Sequence, residues 1–396
     1  MKTEIHPVSV YLKSLHMKKI LLGLGVCLAS SVGFSQQLFQ TTQFMVNPYT
    51  LNPALAGSED FLDIKAGYRK QWTGFEESDG YISDAGGSVS PTTTYLSAHS
   101  ALGHSHEYYR DPRHERQNFH GVGGFVLSDK LAGISRTSGY LSYSFNMRLL
   151  APRNGGGSMY GFNGRDKKIG VRMVIGAHLG FIQQKIDASV LRDYTSLSNG
   201  GVNTDPLLGE YSPDWAPDAS LGTWIYSNYF YAGLAVRRVL GNDLDYNVES
   251  TTGDDITSNF TLSRHYNVMG GYKFFMSETF LIEPSMIVKL EKSLRYTSAD
   301  LNVLFTYDNT FTNNRSGGRS GGDVHAFTGI TYRTGSALAF LVGGVFLDRY
   351  EVAYSFDLST NRLRKFENGT HEITVGLRIQ PPKVLRTAET HRNHFK

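Results

Sequence analysis

A single cysteine, Cys27, stands in the whole of this 396-residue chain. It lies in a short apolar run near the N-terminus that has the form of a cleaved export signal, so the mature chain holds no thiol, which excludes disulfides and a thiolate site. A lipid-modified cysteine needs small residues immediately before it, whereas Cys27 follows Val26. Long hydrophobic runs are also missing. Past the signal, no stretch reaches the ~18 consecutive apolar residues that a transmembrane helix needs, so a membrane reading requires strands. Charge of one sign is scarce: the net charge of +3 is too small to argue for nucleic acid. The chain has no G-x-S-x-G elbow, no H-E-x-x-H, no Walker loop and no dinucleotide fingerprint, so no catalytic residue, metal ligand or cofactor is assigned.

The segment opening at Met17 reads as a secretory signal. Lys18 and Lys19 are its basic start, Ile20 to Ala29 its apolar centre, and Gly33 and Ser35 the small residues before a cleavage at Gln36. Met17 opens a better signal by itself than Met1 does, so residues 1–16 are read as an upstream start or an extended basic region. The expected organisation is a signal over 1–35, a periplasmic or lumenal segment over 36–60, one barrel over 61–379 and a polar tail over 380–396.

Aromatics are abundant, with 23 Tyr and 23 Phe, alongside 42 Gly. Hydrophobic residues reach only 40%, and mean hydropathy is −0.28. Strands with one face to lipid and one to a polar lumen average to such values, and Tyr and Phe suit interfacial girdles. The alternation is direct. Leu141, Tyr143, Phe145, Met147 and Leu149 interleave with Ser142, Ser144, Asn146 and Arg148. Val171 to Phe181, Phe230 to Val236, Leu301 to Tyr307, Val352 to Leu358 and Ile373 to Ile379 repeat the period of two. With the weaker segments added, strands are expected near 61–71, 91–101, 119–128, 137–150, 170–184, 216–227, 229–238, 264–275, 279–290, 299–307, 324–334, 337–347, 350–359 and 370–379. That makes an all-β transmembrane outer-membrane barrel of about 14 antiparallel strands, each of about ten residues. A secreted sandwich or propeller is the soluble alternative; long strands with aromatic-rich apolar faces throughout the chain count against it.

Tight turns are expected at Tyr226–Tyr229, Arg333–Ser336 and Leu347–Tyr350. Long polar loops are expected at His104–Asn118, Ala151–Lys168, Ile186–Pro213, Gly241–Ser258 and Asn309–Gly322. Outer-membrane barrels carry short turns at one rim and long loops at the other, and the two classes are expected to separate in that way.

Gln43-Phe44-Met45-Val46-Asn47-Pro48, Leu51-Asn52-Pro53-Ala54-Leu55-Ala56-Gly57-Ser58 and Tyr68-Arg69-Lys70-Gln71-Trp72-Thr73-Gly74-Phe75 together resemble the N-terminal signature of the PorP/SprF family. The likeness continues through Gly121–Gly124, Ser128–Lys130, Pro217–Gly222, Tyr354–Leu358 and Gly369–Ile373. It implies an outer-membrane barrel of the type IX secretion and gliding-motility systems. The implied partners are a secreted surface protein or adhesin recognised through its C-terminal domain, other components of the machinery, and outer-membrane lipid. Family members often stop at the last strand, where a terminal aromatic aids assembly, whereas here Pro381-Pro382 begin a further polar segment.

Asn47, Pro48, Asn52, Pro53, Tyr68, Arg69, Gln71, Trp72, Gly74 and Phe75 are the candidate partner-binding residues implied by the motif. Independently, Pro48 and Pro53 make the segment before the first strand irregular but stiff. Two readings are open for it: at the barrel mouth or in the lumen, plugging the pore or presenting a docking surface, or an anchor of the N-terminus at the periplasmic rim. Tyr68 and Trp72 suit a membrane interface, with Arg69 turned inward. His99, His104, His106, His114 and His120 match no closed metal pattern, and Asp205, Asp254 and Asp255 are read as loop charges. His371 and Glu372 are neighbours on one strand and point to opposite faces. The functional expectation is a non-enzymatic secretion component; the alternatives are a general porin or small-solute transporter, and an envelope hydrolase built on converging Ser and His.

Overall fold

In a computed structural model, residues 40–59, 61–74, 90–102, 118–131, 134–150, 170–186, 214–241, 243–248, 256–277, 279–291, 297–308 and 325–379 are described. The first seven strands are β1 (Leu62–Lys70), β2 (Thr92–Ala101), β3 (Asn118–Leu131), β4 (Ile134–Leu150), β5 (Val171–Ile186), β6 (Asp214–Tyr226) and β7 (Phe230–Arg237). A separate hairpin, β8 (Asp243–Val248) with β9 (Ile256–Thr261), interrupts what the sequence suggested was a plain loop. The series resumes with β10 (His265–Tyr272), β11 (Phe274–Phe275), β12 (Phe280–Glu291), β13 (Thr297–Asp308), β14 (His325–Arg333), β15 (Ala337–Phe346), β16 (Tyr350–Ser359) and β17 (Thr370–Ile379).

Apart from the separate β8–β9 hairpin, which β7 and β10 pair across, successive staves pair antiparallel. The short β11 continues β10 along β12, so the sheet has fourteen staves. β1 also pairs along its whole length with β17, from Leu62 opposite Ile379 to Lys70 opposite His371. With that pairing the sheet has no free edge, the condition under which strands satisfy their backbone in lipid.

The period-two pattern resolves into outside and inside. On β4, Leu141 is 76% exposed on the outer face, whereas Ser144 on the inner face is 1% exposed. Leu96, Leu179, Leu221 and Val342 also point out, and His178, Ser220, Asn302 and Thr374 point in. The exterior is therefore apolar, the arrangement a bilayer selects, while the inward face of the wall carries many polar and charged side chains beside a buried apolar cluster.

The rims depart from the expectation. Antiparallel closure sends successive connections to alternate ends whatever their length. The tight turns after β6 and β15 lie at the Leu62 end, and the one after β14 lies at the Lys70 end. Among the long connections, 103–117, 151–169 and 309–324 join strand ends at the Leu62 rim, and 187–213 joins ends at the Lys70 rim. Loop length does not separate the two rims. In the turn after β15, Leu347 and Asp348 both take positive φ (55° and 53°), closed by Arg349 N–H donating to the Phe346 carbonyl at 3.1 Å. That is the backbone of a type I′ hairpin.

Candidate functional site

Residues 41–58 run inside the barrel. Pro48 and Pro53 each open a one-turn 3₁₀ helix, Pro48–Thr50 and Pro53–Leu55. At the first helical position the missing proline N–H costs nothing and its fixed φ is preset. Asn52 caps the second turn, its side-chain oxygen accepting from Ala54 N–H at 3.0 Å, while its amide nitrogen donates to the Thr223 carbonyl on β6. Asn47 donates to Ser97 Oγ on β2 at 2.9 Å. Both asparagines are thus stitches between the segment and the wall.

The apolar side chains of the segment fill the lumen. Phe44, Tyr49, Leu51, Ala54 and Leu55 form one buried cluster with Tyr95, Phe125, Tyr140, Ile182, Trp224, Met269 and Ile287 of the wall. Burial pushes the Tyr49 phenol above its ordinary pKa, and its hydroxyl bonds Ser142 Oγ at 2.5 Å. Two glycines make room for the segment. A Cβ on Gly121 would collide with the Ala56 carbonyl, and one on Gly176 would come within 2.5 Å of the Pro53 carbonyl oxygen.

On the opposite wall the segment meets a chain of charges. Arg69 on β1 donates to Glu372 on β17 at 2.7 Å and to Asp357 on β16 at 2.8 Å. Arg333 on β14 joins Asp357, at 3.4 Å, to Asp300 on β13, at 3.0 Å, and Lys289 on β12 ends the chain 3.5 Å from Asp300. Three cations therefore face three carboxylates, buried and paired, which offsets the cost of removing them from water. Thr42 sits at the centre. Its backbone N–H donates to Glu372, and its hydroxyl donates to Asp357 and accepts from Arg69 and Arg333. The Gln43 side-chain amide donates a hydrogen bond to the Glu372 main-chain carbonyl at 2.9 Å. A second cluster holds the next part of the segment: Lys65 donates to the Val46 carbonyl at 2.6 Å and pairs with Asp63 and Glu351.

The motif residues divide between these roles. Arg69 is 3% exposed, inside, while Tyr68 is 46% exposed on the outer face. Gln71 N–H donates to the Pro91 carbonyl at 2.8 Å. Trp72, with φ of 51°, donates its N–H to Thr370 Oγ1. Thr73 exchanges backbone bonds with Asn368 and Gly369, and Gly74, at φ of 81°, packs against the Asn368 side chain. Residues 72–74 thus extend the β1–β17 seam past the ends of both strands, while Gln71 continues β1 along the start of β2. Phe75 lies outside the described residues, as do the segments 1–35 and 380–396, His104, His106, His114, Asp205, Asp254 and Asp255.

The histidines are not gathered. His99 is buried in the lumen and accepts from Gly57 N–H at 3.2 Å, whereas His120 faces outward beside Tyr143. Among the described residues no group of His, Asp or Glu is arranged to hold a metal. His371 points out and Glu372 in, as neighbours on a strand must. Among the described residues one Ser–His hydrogen bond lies in the lumen, Ser142 Oγ to His178 Nδ1 at 2.6 Å. His178 Nε2 has no hydrogen-bond partner among the described residues, the ring being held instead by packing against Tyr49, Phe125 and Tyr140, and the Tyr49 hydroxyl bonds the serine.

Reasoning from sequence passed over Thr41, Thr42, Lys289, Asp300 and Arg333. Asp357 and Glu372 did lie within the segments carrying the family likeness, and those segments, 43–48, 68–75, 354–358 and 369–373, converge on this one network.

The family described as "Type IX secretion system membrane protein PorP/SprF" matches residues 33–377. The chain belongs to the PorP/SprF family. It is thereby a type IX secretion system membrane protein with a barrel fold. No curated protein is similar enough to count as a match. Among solved structures, the Ralstonia pickettii toluene transporter TbuX is similar at 9% identity over 86% of this chain and 94% of its own, with a TM-score of 0.43. A TodX monoaromatic hydrocarbon channel variant gives 9% over 88% and 97%, with a TM-score of 0.41. A Pseudomonas aeruginosa FadL homologue gives 10% over 83% and 92%, with a TM-score of 0.40. Likeness at this level carries no argument about what this barrel binds or passes.

Proposed function

We propose that this PorP/SprF protein is a non-enzymatic outer-membrane component of the type IX secretion and gliding machinery. In this reading the barrel is a rigid anchor. It receives or retains a secreted surface protein through that protein's C-terminal domain, or fixes periplasmic components to the membrane. The observation that carries the reading is the occupied lumen: residues 41–56 bond staves around the circumference, from Ser97 and Thr223 to Asn267, Arg333 and Glu372. A barrel filled in this way suits attachment better than free passage of solutes. Recognition falls to surfaces outside the lumen, and the end of β1 at Gln71 with the extended seam at Trp72 and Gly74 is the proposed contact region within the motif.

The test is affinity purification of the tagged protein from native outer membranes, with mass spectrometry of what stays bound and planar-bilayer conductance of the pure barrel. Recovery of a large surface protein with a C-terminal secretion domain, or of periplasmic components, from a barrel that does not conduct supports the anchor. Recovery of the barrel alone, with steady conductance, overturns it in favour of a porin.

A further inference from the structure

The carboxylates of the fourteen staves all alternate onto the lumenal side, and three lysines turn the other way: Lys70 of β1, Lys130 of β3 and Lys185 of β5. They stand in one row across the outer face at the Lys70 rim. Lys70 is opposite Thr92, Thr92 opposite Lys130, Lys130 opposite Ser135, and Ser135 opposite Lys185. Neighbouring strands lie about 4.8 Å apart, so successive lysines are about 10 Å apart with a hydroxyl side chain between each pair. The connection from β16 to β17, at the same rim, adds Arg362, Arg364 and Lys365 in one exposed 3₁₀ turn, while its Glu367 accepts from Gly369 N–H.

The next outward row toward the middle of the barrel holds Tyr68, Thr94, Ser128, Thr137 and Gln183, with the Ser128 and Thr137 hydroxyls 3.3 Å apart. One row further in, Leu96, Val126 and Phe181 open the apolar band. The outer face of β1 to β5 therefore passes from ammonium through hydroxyl to hydrocarbon over about 13 Å of strand. Elsewhere the apolar band runs up to the rim. On β12, β14, β15 and β16 the outward side chains nearest the same end are Leu290, Tyr332, Leu338 and Leu358.

We infer that this sector is a binding site for an anionic phospholipid, its phosphate held between Lys130 and Lys185 beside the Ser135 hydroxyl and its acyl chains laid on Leu96, Val126 and Phe181. A phospholipid presents charge, ester oxygens and hydrocarbon in the order in which the wall presents ammonium, hydroxyl and apolar side chains. Lysine stems lie along an apolar wall and carry their ammonium groups to the headgroup level, where positive charge draws anionic lipid. The apolar side chains continuous with the row set a lipid apart from a free phosphate, which would use the lysines alone. The inference rests on the proposed placement of the outer face in a bilayer, and not on which protein the barrel secretes or retains.

The test is native mass spectrometry of the full-length barrel, folded in detergent and offered equal amounts of phosphatidylglycerol and phosphatidylcholine, with inorganic phosphate as competitor in a second series. The expected result is retention of phosphatidylglycerol over phosphatidylcholine, undiminished by inorganic phosphate. Lys130→Gln combined with Lys185→Gln should lower that retention about tenfold or more, while Arg349→Gln, in the turn after β15 at the other rim, leaves it unchanged. Retention of the heat-modifiable gel mobility of a folded barrel establishes that each variant is intact. Equal retention of the two lipids, displacement by inorganic phosphate or full retention by the folded double variant would overturn the site. Retention of neither lipid would overturn the bilayer placement as well. Loss of a co-purified protein from native membranes on the double substitution, with lipid retention unchanged, would overturn the lipid in favour of a protein-docking surface.

Discussion

Arg69 and Glu372 stand directly opposite each other where the first strand meets the last, and their side chains join inside the barrel at 2.7 Å. The backbone seam that closes the cylinder is thus locked by a buried ion pair, and the same carboxylate holds Thr41 and Thr42 of the lumenal segment. Closure and filling share one residue. Glu372→Gln leaves Arg69 with Asp357 alone and removes the charge that Thr42 N–H meets. Breaking a buried pair from one side costs about 3–5 kcal/mol. The expected outcome is a lower denaturant midpoint of that order, together with faster proteolysis between residues 40 and 58 in the folded barrel. A variant as stable and as protected as the parent would show that the pair does not hold the seam.

Gly176→Val tests the filling without touching a charge. Its Cβ would meet the Pro53 carbonyl, a backbone atom that cannot rotate away. The barrel wall is unchanged, because β5 pairs on both sides through its own backbone. The segment should therefore be displaced while the barrel still folds, and single-barrel conductance should rise above the parent. An unchanged conductance with the segment still protected would mean that it is held elsewhere strongly enough to absorb the clash.

Strand positions were legible in the sequence because alternation reports a local property, which face meets lipid. Most of the fourteen staves lie where apolar and polar residues interleave, and the weaker segments between them account for the rest. The interior was not legible in the same way. Arg69 and Glu372 are 303 positions apart, and Arg333 and Thr42 are 291 apart, so no local pattern announces either contact. Pro48 and Pro53 declared a stiff segment but not where it goes; that depended on glycines such as Gly176, whose empty side becomes visible only when β5 is curled into a wall. The histidines looked clustered because five fall in a short stretch, yet His99 and His120 lie on strands that turn them to opposite faces. Rim assignment failed for a related reason: loop length is a property of each connection, whereas the rim is decided by counting strands.

The turn after β15 places Leu347 and Asp348 at positive φ, a region that costs about 1–2 kcal/mol for a side chain with a Cβ. Leu347→Asn combined with Asp348→Gly gives the pair that type I′ turns favour. The double variant should gain about 1 kcal/mol in equilibrium unfolding from vesicles. A loss would mean that the exposed Leu347 side chain contributes something the turn backbone does not.

Leu141 and Ser142 are adjacent on β4 and separate the two solvents of the barrel. Leu141 faces outward near the middle of its strand, opposite Gly124 and Leu179 in register, and Ser142 faces the lumen. If the outer face lies in hydrocarbon, Leu141→Arg places a charge near the bilayer midplane and should cost about 2–4 kcal/mol in refolding into lipid vesicles. Ser142→Ala removes only the lumenal hydroxyl that bridges Tyr49 and His178, and should cost about 1–3 kcal/mol through the polar groups it leaves unpaired. The two losses differ in kind. The first should shrink as the bilayer is thinned and vanish in a fully aqueous setting, because it measures transfer of charge into lipid. The second should be insensitive to lipid, because it measures packing inside the wall. A Leu141→Arg cost that stays constant across bilayers of different thickness would argue that this face is covered by protein rather than by membrane.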